Sequence, residues 1–340
     1  MKLIVQIPCY NEEATLPQTL ADIPREIPGV DEVEILIVDD GSTDGTVLVA
    51  RELGVDHIVR HKRNRGLAAT FRTGLDACLR LGADVIVNTD GDNQYAGRDI
   101  PKLIAPILRG EADMVVGDRQ TWHVAHFSRG KRMLQAVGSY VVRKLSETDV
   151  PDTVSGFRAF SREAALQTNI VSPFSYTIET IIQAGKKRMA IASVPIGTNG
   201  KTRNSRLFKS IPQFIGKSVG TIVRMYAMYH PLRVFFYISM ALMLLGAVPI
   251  VRFLYFYFAG NGSGHVQSLV LGGALLSMGF LALMVGLVAD LISFNRQLLE
   301  FILEKTRRLA LQTERWANRE EQECAFGCTL RQGDFDDHQS

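Results

Sequence analysis

The fold is decided by one short stretch, residues 85–94, which reads VIVNTDGDNQ. Its first three residues are β-branched and predict a short buried strand. A polar loop that carries Asp90 and Asp92 follows at once. Since ligands of open α/β sheets bind beyond the carboxyl ends of the strands, this junction predicts both a core strand and a site at its end.

The same order of elements repeats on both sides of this stretch. Strands are predicted at residues 1–8, 33–38, 57–59 and 114–116, and helices at residues 12–20, 44–53, 66–80 and 100–108. Strands that alternate with helices at this spacing predict an α/β fold whose mostly parallel sheet is covered on both faces. Polar clusters follow three of the strands, at residues 8–12, 39–44 and 90–94.

The acidic loops permit two interpretations. Asp90 and Asp92 flank a single glycine, and Gln94 follows two positions later. Carboxylates at this spacing can approach one hard cation, whose other positions stay open to phosphate oxygens. A plain turn is the alternative, because Asp, Gly and Asn are turn formers. The loop at residues 39–44 is equally ambiguous, since its serine can cap a helix and its aspartates can be first-turn charges.

Two apolar segments near the C-terminus account for a hydrophobic content of 46%. Residues 234–258 and 266–289 are each long enough to cross a hydrocarbon core, which takes about 20 residues. The only charges in residues 234–292 are Arg252 and Asp290. A buried soluble hairpin is the alternative, although two such runs joined by a short loop are unusual in a soluble core. The sequence therefore predicts a two-helix transmembrane hairpin.

Basic residues flank both predicted spans and are absent from the loop between them. Residues 201–233 contain seven Lys or Arg and no Asp or Glu, so the net charge of +3 conceals a basic stretch beside the bilayer. This distribution predicts a multi-pass cell-membrane protein with both termini cytoplasmic, and no signal peptide is expected. The small net charge gives no reason to expect a nucleic-acid partner, and four dispersed cysteines exclude a disulfide scaffold.

The segments beside the hairpin have their own patterns. Residues 207–230 place apolar side chains at helical spacing, which is typical of an interfacial helix lying along a membrane. A surface helix packed on the soluble domain is the alternative. Residues 298–320 predict a charged helix that either self-associates, which would make a homo-oligomer, or is solvated. Disorder is expected from Glu321 onward.

Four motifs occur in an order that is far more specific than any one of them. They are PCYNEE at residues 8–13, VDDGSTDGT at 38–46, NRG at 64–66 and TDGDNQ at 89–94. In this combination the chain resembles family 2 glycosyltransferases, which have the Rossmann-like GT-A fold. GDR at 117–119, DTVSGFR at 152–158, NSR at 204–206 and the C-terminal hairpin make it similar to the dolichyl- and polyprenyl-phosphate sugar synthases, such as dolichol-phosphate mannosyltransferases. The resemblance covers about residues 1–295.

The resemblance implies a donor site for a nucleotide sugar, with UDP or GDP as the nucleotide. Its base and ribose would be held by Pro8, Tyr10, Glu12 and Asp40, with Asp39 supporting the loop. Asp90 and Asp92 would border the diphosphate and its Mg²⁺ or Mn²⁺, and Gln94 would complete the metal site. A nucleoside diphosphate is a poor leaving group until its charge is neutralised, which a divalent ion does without proton transfer.

The resemblance also implies a polyprenyl phosphate acceptor at the surface of the bilayer. A phosphate monoester is mostly dianionic at neutral pH, so the site needs cations that orient it more than it needs a strong base. The candidates for the acceptor phosphate are Arg119, Arg132, Ser155, Arg158, Arg203, Ser205 and Arg206. Asp92, Asp90, Arg119 and Arg206 are the expected catalytic residues. Some relatives carry an aspartate as a proposed base where this chain has Gly156, so no base is assigned.

The expected protein is a membrane-anchored inverting glycosyltransferase that makes a polyprenyl-phosphate-linked monosaccharide. Alternatives are an enzyme that extends a lipid-linked glycan or polysaccharide, and a non-catalytic subunit that binds nucleotide sugars. Two spans do not readily enclose a glycan channel, and a non-catalytic subunit is expected to have lost Asp90 or Asp92. The expected segments are a GT-A domain at residues 1–206, amphipathic juxtamembrane helices at 207–233, the hairpin at 234–292, and a cytoplasmic helix with a disordered tail at 293–340.

Overall fold

The computed structural model describes the backbone of residues 1–120, 129–171, 176–200, 220, 223–224, 226–260 and 265–336. Within these ranges, the side chains of residues 129–137 and 314–336 are left undescribed. The chain divides into two compact units. The first contains Met1–Ser218 and Leu303–Ser340, and the second is Val219–Ile302.

A seven-stranded sheet lies at the centre of the first unit. In chain order its strands are β1 Lys2–Cys9, β2 Glu32–Asp39, β3 His57–Arg60, β4 Val85–Asn88, β5 Met114–Asp118, β6 Arg158–Ser161 and β7 Ile191–Pro195. Their order across the sheet is β3-β2-β1-β4-β6-β5-β7. Only β6 is antiparallel to its neighbours β4 and β5, so the predicted mostly parallel sheet is confirmed.

The register of the central strands brings their carboxyl ends together. Cys9 at the end of β1 pairs with Asp39 at the end of β2, and Gln6 of β1 pairs with Asn88 of β4. Because these pairs are parallel, the loops that follow β1, β2 and β4 leave the same edge of the sheet. This edge therefore collects the three polar clusters of the sequence.

Helices of the first unit flank the strands, and several match their predicted ranges. They are α1 Leu16–Ala21, α2 Thr46–Glu52, α3 Leu67–Arg80, α4 Ile100–Leu108, α5 Arg129–Ser146, α6 Arg162–Gln167 and α7 Tyr176–Lys186. Residues 12–15 precede α1 rather than begin it, because the Glu12 N–H bonds to Thr46 across the site edge at 2.9 Å. Gly45 is the N-cap residue of α2, while the Ser42 hydroxyl accepts a hydrogen bond from Asn11 N at 2.9 Å instead of capping the helix.

The core lies between the sheet and its helices. The apolar side chains of β1 and β2 are almost fully buried, and each such Leu or Ile contributes roughly 1.5–3 kcal/mol. Under the site edge, Phe71 of α3 stacks on Tyr176 of α7 with ring centroids 4.0 Å apart. Tyr95 stacks similarly on Phe157, at 5.3 Å. These stacked aromatic pairs belong to the buried layer under the polar loops.

The second unit contains two long apolar helix segments. α8 is Pro231–Phe258, and α9 is Val266–Asp336, of which the part up to residue 302 belongs to this unit. Each contains a stretch that is long and apolar enough to cross a membrane, in which 18 residues have a mean hydropathy of 2.3. A Cβ on Gly272 of α9 would lie 2.7 Å from the carbonyl oxygen of Gly246 in α8. Small residues therefore let the two backbones approach closely, as in membrane helix pairs.

The part of α9 beyond residue 302 belongs to the first unit and contacts α6. Arg307 donates hydrogen bonds to the carbonyl oxygen of Thr168, at 3.1 Å, and to Oδ1 of Asn169, at 2.9 Å. Arg308 forms an ion pair with Glu163. This part of the helix is thus docked on the soluble domain rather than only solvated. α9 also continues to Asp336, past the point at which disorder is expected.

Candidate active site

Asp39 ends β2 and is fully buried. Its carboxylate accepts a hydrogen bond from the backbone N–H of Ser42 at 3.1 Å and lies 3.1 Å from Nε of Arg60. Arg60 also donates to the carbonyl oxygen of Ser42, at 3.0 Å. These bonds close the loop after β2, so Asp39 is placed to support the loop rather than to touch a ligand.

Asp40 is held from three directions. Its Oδ1 accepts from Arg65 N, its Oδ2 accepts from Gly66 N, and Nδ1 of His61 lies beside Oδ1, each at 2.8 Å. The other ring nitrogen of His61 lies 3.0 Å from the hydroxyl of Thr73. His61 is nearly fully buried and was missed from the sequence, where it follows β3 without any motif.

The loop after β1 presents one aromatic ring to solvent. Pro8 is buried, whereas Tyr10 is 39% exposed. Asn11, at φ 56°, accepts a hydrogen bond from Thr43 N at 2.8 Å, which joins this loop to the loop after β2. Glu12 is buried and accepts from the Thr15 hydroxyl at 2.8 Å. The ring of Tyr10 is therefore exposed enough for a base to stack against it.

The loop after β4 carries the two carboxylates. Asp90 and Asp92 are both partly exposed, and Oδ1 of Asp92 accepts from Gln94 N at 3.2 Å. Between them, the carbonyl oxygen of Gly91 accepts from the hydroxyls of Thr15 and Thr19, at 3.0 and 3.1 Å. The loop is thus fixed by α1 and its preceding turn while its carboxylates remain accessible.

The donor set of this loop fits Mg²⁺ or Mn²⁺. Two carboxylates with room beside them suit a hard cation that keeps its other positions for water and substrate phosphate. Nowhere among the described residues do three or more His, Cys, Asp or Glu side chains form a cluster that could enclose a metal. A metal bound by these two carboxylates would have positions left for water or for phosphate oxygens.

Gly156 leaves space for the Asp90 carboxylate. A Cβ at this position would lie 2.8 Å from the Tyr176 hydroxyl and 3.2 and 3.3 Å from the two oxygens of Asp90. The Gly156 N–H donates to the Tyr95 hydroxyl at 2.8 Å, and Asn88 Nδ2 donates to the Gly156 carbonyl oxygen at 2.8 Å. An aspartate at position 156 would crowd Asp90 in this arrangement.

Arg119 and Asp152 form an interior ion pair beside the site. Nε and Nη2 of Arg119 donate to the two carboxylate oxygens at 2.7 and 3.0 Å, and the side chains are 8% and 2% exposed. Burial opposes ionisation of Asp152, but Arg119 outweighs it and holds the pKa of this carboxyl below its usual range. Burial likewise raises the pKa of the nearby Tyr95 to about 12. The guanidinium group of Arg119 is thus bound in a bidentate contact with Asp152.

Arg158 requires a correction. The prediction that it contacts an acceptor phosphate disagrees with the structure, in which its side chain is fully buried. It donates to the carbonyl oxygens of Ser155, Thr177 and Thr153, at 2.8, 2.7 and 2.9 Å. Burial lowers its pKa to about 10. Ser155 is also fully buried, so neither residue is open to an acceptor. Arg158, at the start of β6, is buried because its guanidinium group donates hydrogen bonds to these three carbonyl oxygens.

The other residues that were predicted to bind the acceptor phosphate are not among those that the structure describes. The side chain of Arg132 and all atoms of Arg203, Ser205 and Arg206 are not among the described residues. The same holds for most of the predicted interfacial helix at residues 207–230. Their predicted roles remain predictions.

Comparisons with known proteins agree with this geometry. Residues 4–167 match the model of glycosyl transferase family 2. A UDP-N-acetylglucosamine–dolichyl-phosphate N-acetylglucosaminyltransferase of Methanococcus voltae is 30% identical over 56% of this chain and 83% of its own. A polyprenol monophosphomannose synthase of Mycolicibacterium smegmatis is 28% identical over 57% and 76%.

A solved structure shares the fold. Glucosyl-3-phosphoglycerate synthase of Mycobacterium tuberculosis, in complex with Mn²⁺ and UDP, superposes with a TM-score of 0.52 at 23% identity, over 66% of this chain and 77% of its own. The predicted GT-A fold is confirmed. With an acidic loop at the end of β4, a closed loop after β2 and these relatives, the chain belongs to glycosyl transferase family 2.

Proposed function

We propose that this protein transfers a sugar from a UDP- or GDP-sugar to a polyprenyl phosphate at a membrane surface, with inversion at the anomeric carbon. The observation that carries the proposal is the placement of Asp90 and Asp92 at the sheet edge from which the loops after β1 and β2 also leave. The same chain also contains two helices that are apolar enough to cross a membrane. The two curated relatives described above act on dolichyl or polyprenyl phosphates by name.

On the donor side, each loop has a separate task. Tyr10 stacks on the base, Asp40 holds residues 61–66 in place beside the nucleotide, and Asp39 keeps the loop after β2 closed. Asp92, with Asp90 and Gln94 beside it, binds the Mg²⁺ or Mn²⁺ that accompanies the diphosphate. That ion, when bound, neutralises charge on the leaving diphosphate.

On the acceptor side, a phosphate oxygen attacks the anomeric carbon. The new bond joins that oxygen to the sugar, and the bond from the sugar to the β-phosphate breaks, which releases the nucleoside diphosphate. The dianionic acceptor loses no proton in this step, so no general base is needed. This agrees with Gly156 at the position where some relatives have an aspartate. Arg203 and Arg206 are the proposed cations for the acceptor, with Arg132 and Ser205 beside them.

Membrane attachment follows from the same proposal. In this proposal α8 and the first part of α9 span the bilayer. The excess of basic residues at 201–233 in the sequence favours the anionic cytoplasmic side of the membrane for the chain that precedes α8. The soluble domain and both termini are therefore cytoplasmic. An enzyme attached in this way would meet its proposed lipid acceptor in the same membrane.

The experiment uses the full chain in detergent with Mg²⁺ or Mn²⁺. A panel of UDP- and GDP-sugars is offered with either undecaprenyl phosphate or 3-phosphoglycerate, and lipid and water-soluble products are separated by extraction. We expect one donor to give an organic-soluble, mild-acid-labile product only with the lipid acceptor. Transfer to 3-phosphoglycerate alone, or release of nucleoside diphosphate without any glycolipid, would contradict the proposal.

A further inference from the structure

The chain that follows β7 is joined to the loop that carries Asp92. Thr198 forms a β-bridge with Tyr95, and the Ala96 N–H donates to the carbonyl oxygen of Gly197 at 3.4 Å. The backbone N–H of Asn199 donates to the carbonyl oxygen of Gln94 at 3.0 Å. Residues 197–199 therefore form a short strip alongside the loop after β4.

The side chain of Asn199 strengthens this junction. Its Nδ2 donates to Oδ1 of Asn93 at 3.1 Å and to the carbonyl oxygen of Tyr95 at 3.4 Å. It also lies 3.5 Å from Oδ2 of Asp22, whose carboxylate accepts from Gly97 N at 2.6 Å. Asn199 thus bonds to the three consecutive residues that follow Asp92.

Those three residues determine how Asp92 is presented. Asn93 has φ 54°, in the left-handed region that a non-glycine residue enters only with support from its surroundings. Gln94 N donates to Oδ1 of Asp92 at 3.2 Å, and the same residue's carbonyl oxygen accepts from Asn199. Loss of the Asn199 amide would free the Asn93 side chain and loosen the turn that aims the Asp92 carboxylate.

We propose that Asn199 is a positioning residue for the divalent ion. Its side-chain amide acts through Asn93 and Tyr95 on the turn that presents Asp92, and it does not touch the ion itself. The inference rests on the proposed metal role of Asp92.

The test is Mn²⁺ binding to the full chain in detergent, measured from the electron paramagnetic resonance signal of free Mn²⁺ at a saturating concentration of UDP. Asn199→Leu keeps the branched shape of the side chain without its hydrogen bonds to Asn93 and Tyr95, and Asn199→Ala removes the side chain beyond Cβ; both keep the backbone N–H of residue 199. Neither changes the net charge. Gln167→Ala, on α6 and away from the site, is the matched amide control. UDP binding without metal and the thermal unfolding midpoint are measured for each variant.

We expect both Asn199 variants to bind Mn²⁺ about tenfold more weakly than the wild type, as for other residues that orient metal ligands. Metal-free UDP binding should stay within about twofold, and Gln167→Ala should behave as wild type. Unchanged Mn²⁺ affinity in a folded Asn199 variant overturns the inference. Equal losses of Mn²⁺ binding and metal-free UDP binding also overturn it, because they indicate general disruption.

Failure of the proposed function gives a different pattern. If the wild type binds Mn²⁺ with UDP but makes no glycolipid, the lipid acceptor is wrong and the role of Asn199 stands. If the wild type binds no Mn²⁺ in the presence of UDP, both the proposed metal site at Asp92 and the proposed role of Asn199 are wrong.

Discussion

Replacing Gly156 by alanine tests whether the space beside Asp90 is required by the site. The added Cβ would lie 2.8 Å from the Tyr176 hydroxyl and 3.2 Å from Oδ2 of Asp90. The Tyr176 ring is buried and stacks on Phe71 at 4.0 Å, and its hydroxyl accepts from Asn88 at 3.0 Å. The ring has no free direction in which to retreat, so the Asp90 carboxylate must also shift.

The size of the effect follows from these contacts. Overpacking of a rigid core costs about 1–3 kcal/mol, which lowers the unfolding midpoint of a domain of this size by about 2–12 °C. Displacement of the Asp90 carboxylate should reduce transfer about ten- to a hundredfold. Both quantities are measured on the same preparation, by thermal unfolding and by initial rates with the donor that the panel identifies.

Two variants show whether the contact itself is responsible. Gly138→Ala in α5 is the matched control, since a Cβ there meets nothing within 4 Å; it should leave both stability and rate unchanged or slightly stabilise the helix. Tyr176→Phe removes the closest atom, so Gly156→Ala should destabilise the Tyr176→Phe background less than the wild type. A folded Gly156→Ala variant with wild-type stability and rate would refute the reasoning.

Three further predictions concern the supports of the site and of α9. His61→Ala should weaken UDP binding about fivefold by releasing Asp40, whereas His61→Asn can still donate a hydrogen bond and should weaken UDP binding less. Calorimetry measures the affinity of both variants, and the same affinity in the wild type and both variants would contradict this role of His61. Asp152→Asn leaves Arg119 buried without its ion pair and should cost about 3–5 kcal/mol. Because the folded pKa of Asp152 is lowered, the loss of unfolding free energy in the variant should be constant between about pH 5 and 8. It should shrink as the pH falls below about 4, near the unfolded pKa of the carboxyl group. Denaturant titrations at several pH values measure this loss, and a loss that grows in acid would contradict the prediction. Arg307→Ala should destabilise the first unit by about 1–3 kcal/mol, because it leaves the acceptors at Thr168 and Asn169 unsatisfied, whereas the exposed Leu309→Ala should not; equal unfolding midpoints for the two variants would contradict the docking of α9.

Most of the fold follows from short-range patterns in the sequence. The strands at 33–38 and 85–87 are apolar runs that end in polar loops, and α4 was predicted with its exact observed limits because prolines and apolar spacing mark it. β6 was not predicted, since four residues that begin with a buried arginine give no strand signal. α9 runs on past residue 289 because no proline or glycine interrupts the chain between its apolar and charged parts.

Some residues of the candidate site can likewise be predicted from the sequence, and others cannot. Acidic side chains at strand ends are visible because residue type and parallel topology together predict convergence. Whether an arginine is exposed or buried depends on packing, and its position in a motif gave the wrong interpretation for Arg158. This arginine is buried and donates to the carbonyl oxygens of Thr153, Ser155 and Thr177, the last of them 19 positions away. His61 and Asn199 were missed for the same reason. Each acts through a contact across more than ten positions of sequence, and nothing local marks it.

The most direct test of the central claim is the rate of glycolipid formation by the wild type and by Asp92→Asn, side by side with Gln167→Ala. The assay uses labelled donor, undecaprenyl phosphate and Mn²⁺, and counts the label that partitions into the organic phase. The account predicts metal-dependent product with the wild type and Gln167→Ala, and a loss of at least about a hundredfold in Asp92→Asn, as for removal of a group that stabilises transition-state charge. Wild-type rates in folded Asp92→Asn, or no organic-phase product from the wild type with any donor, would contradict it.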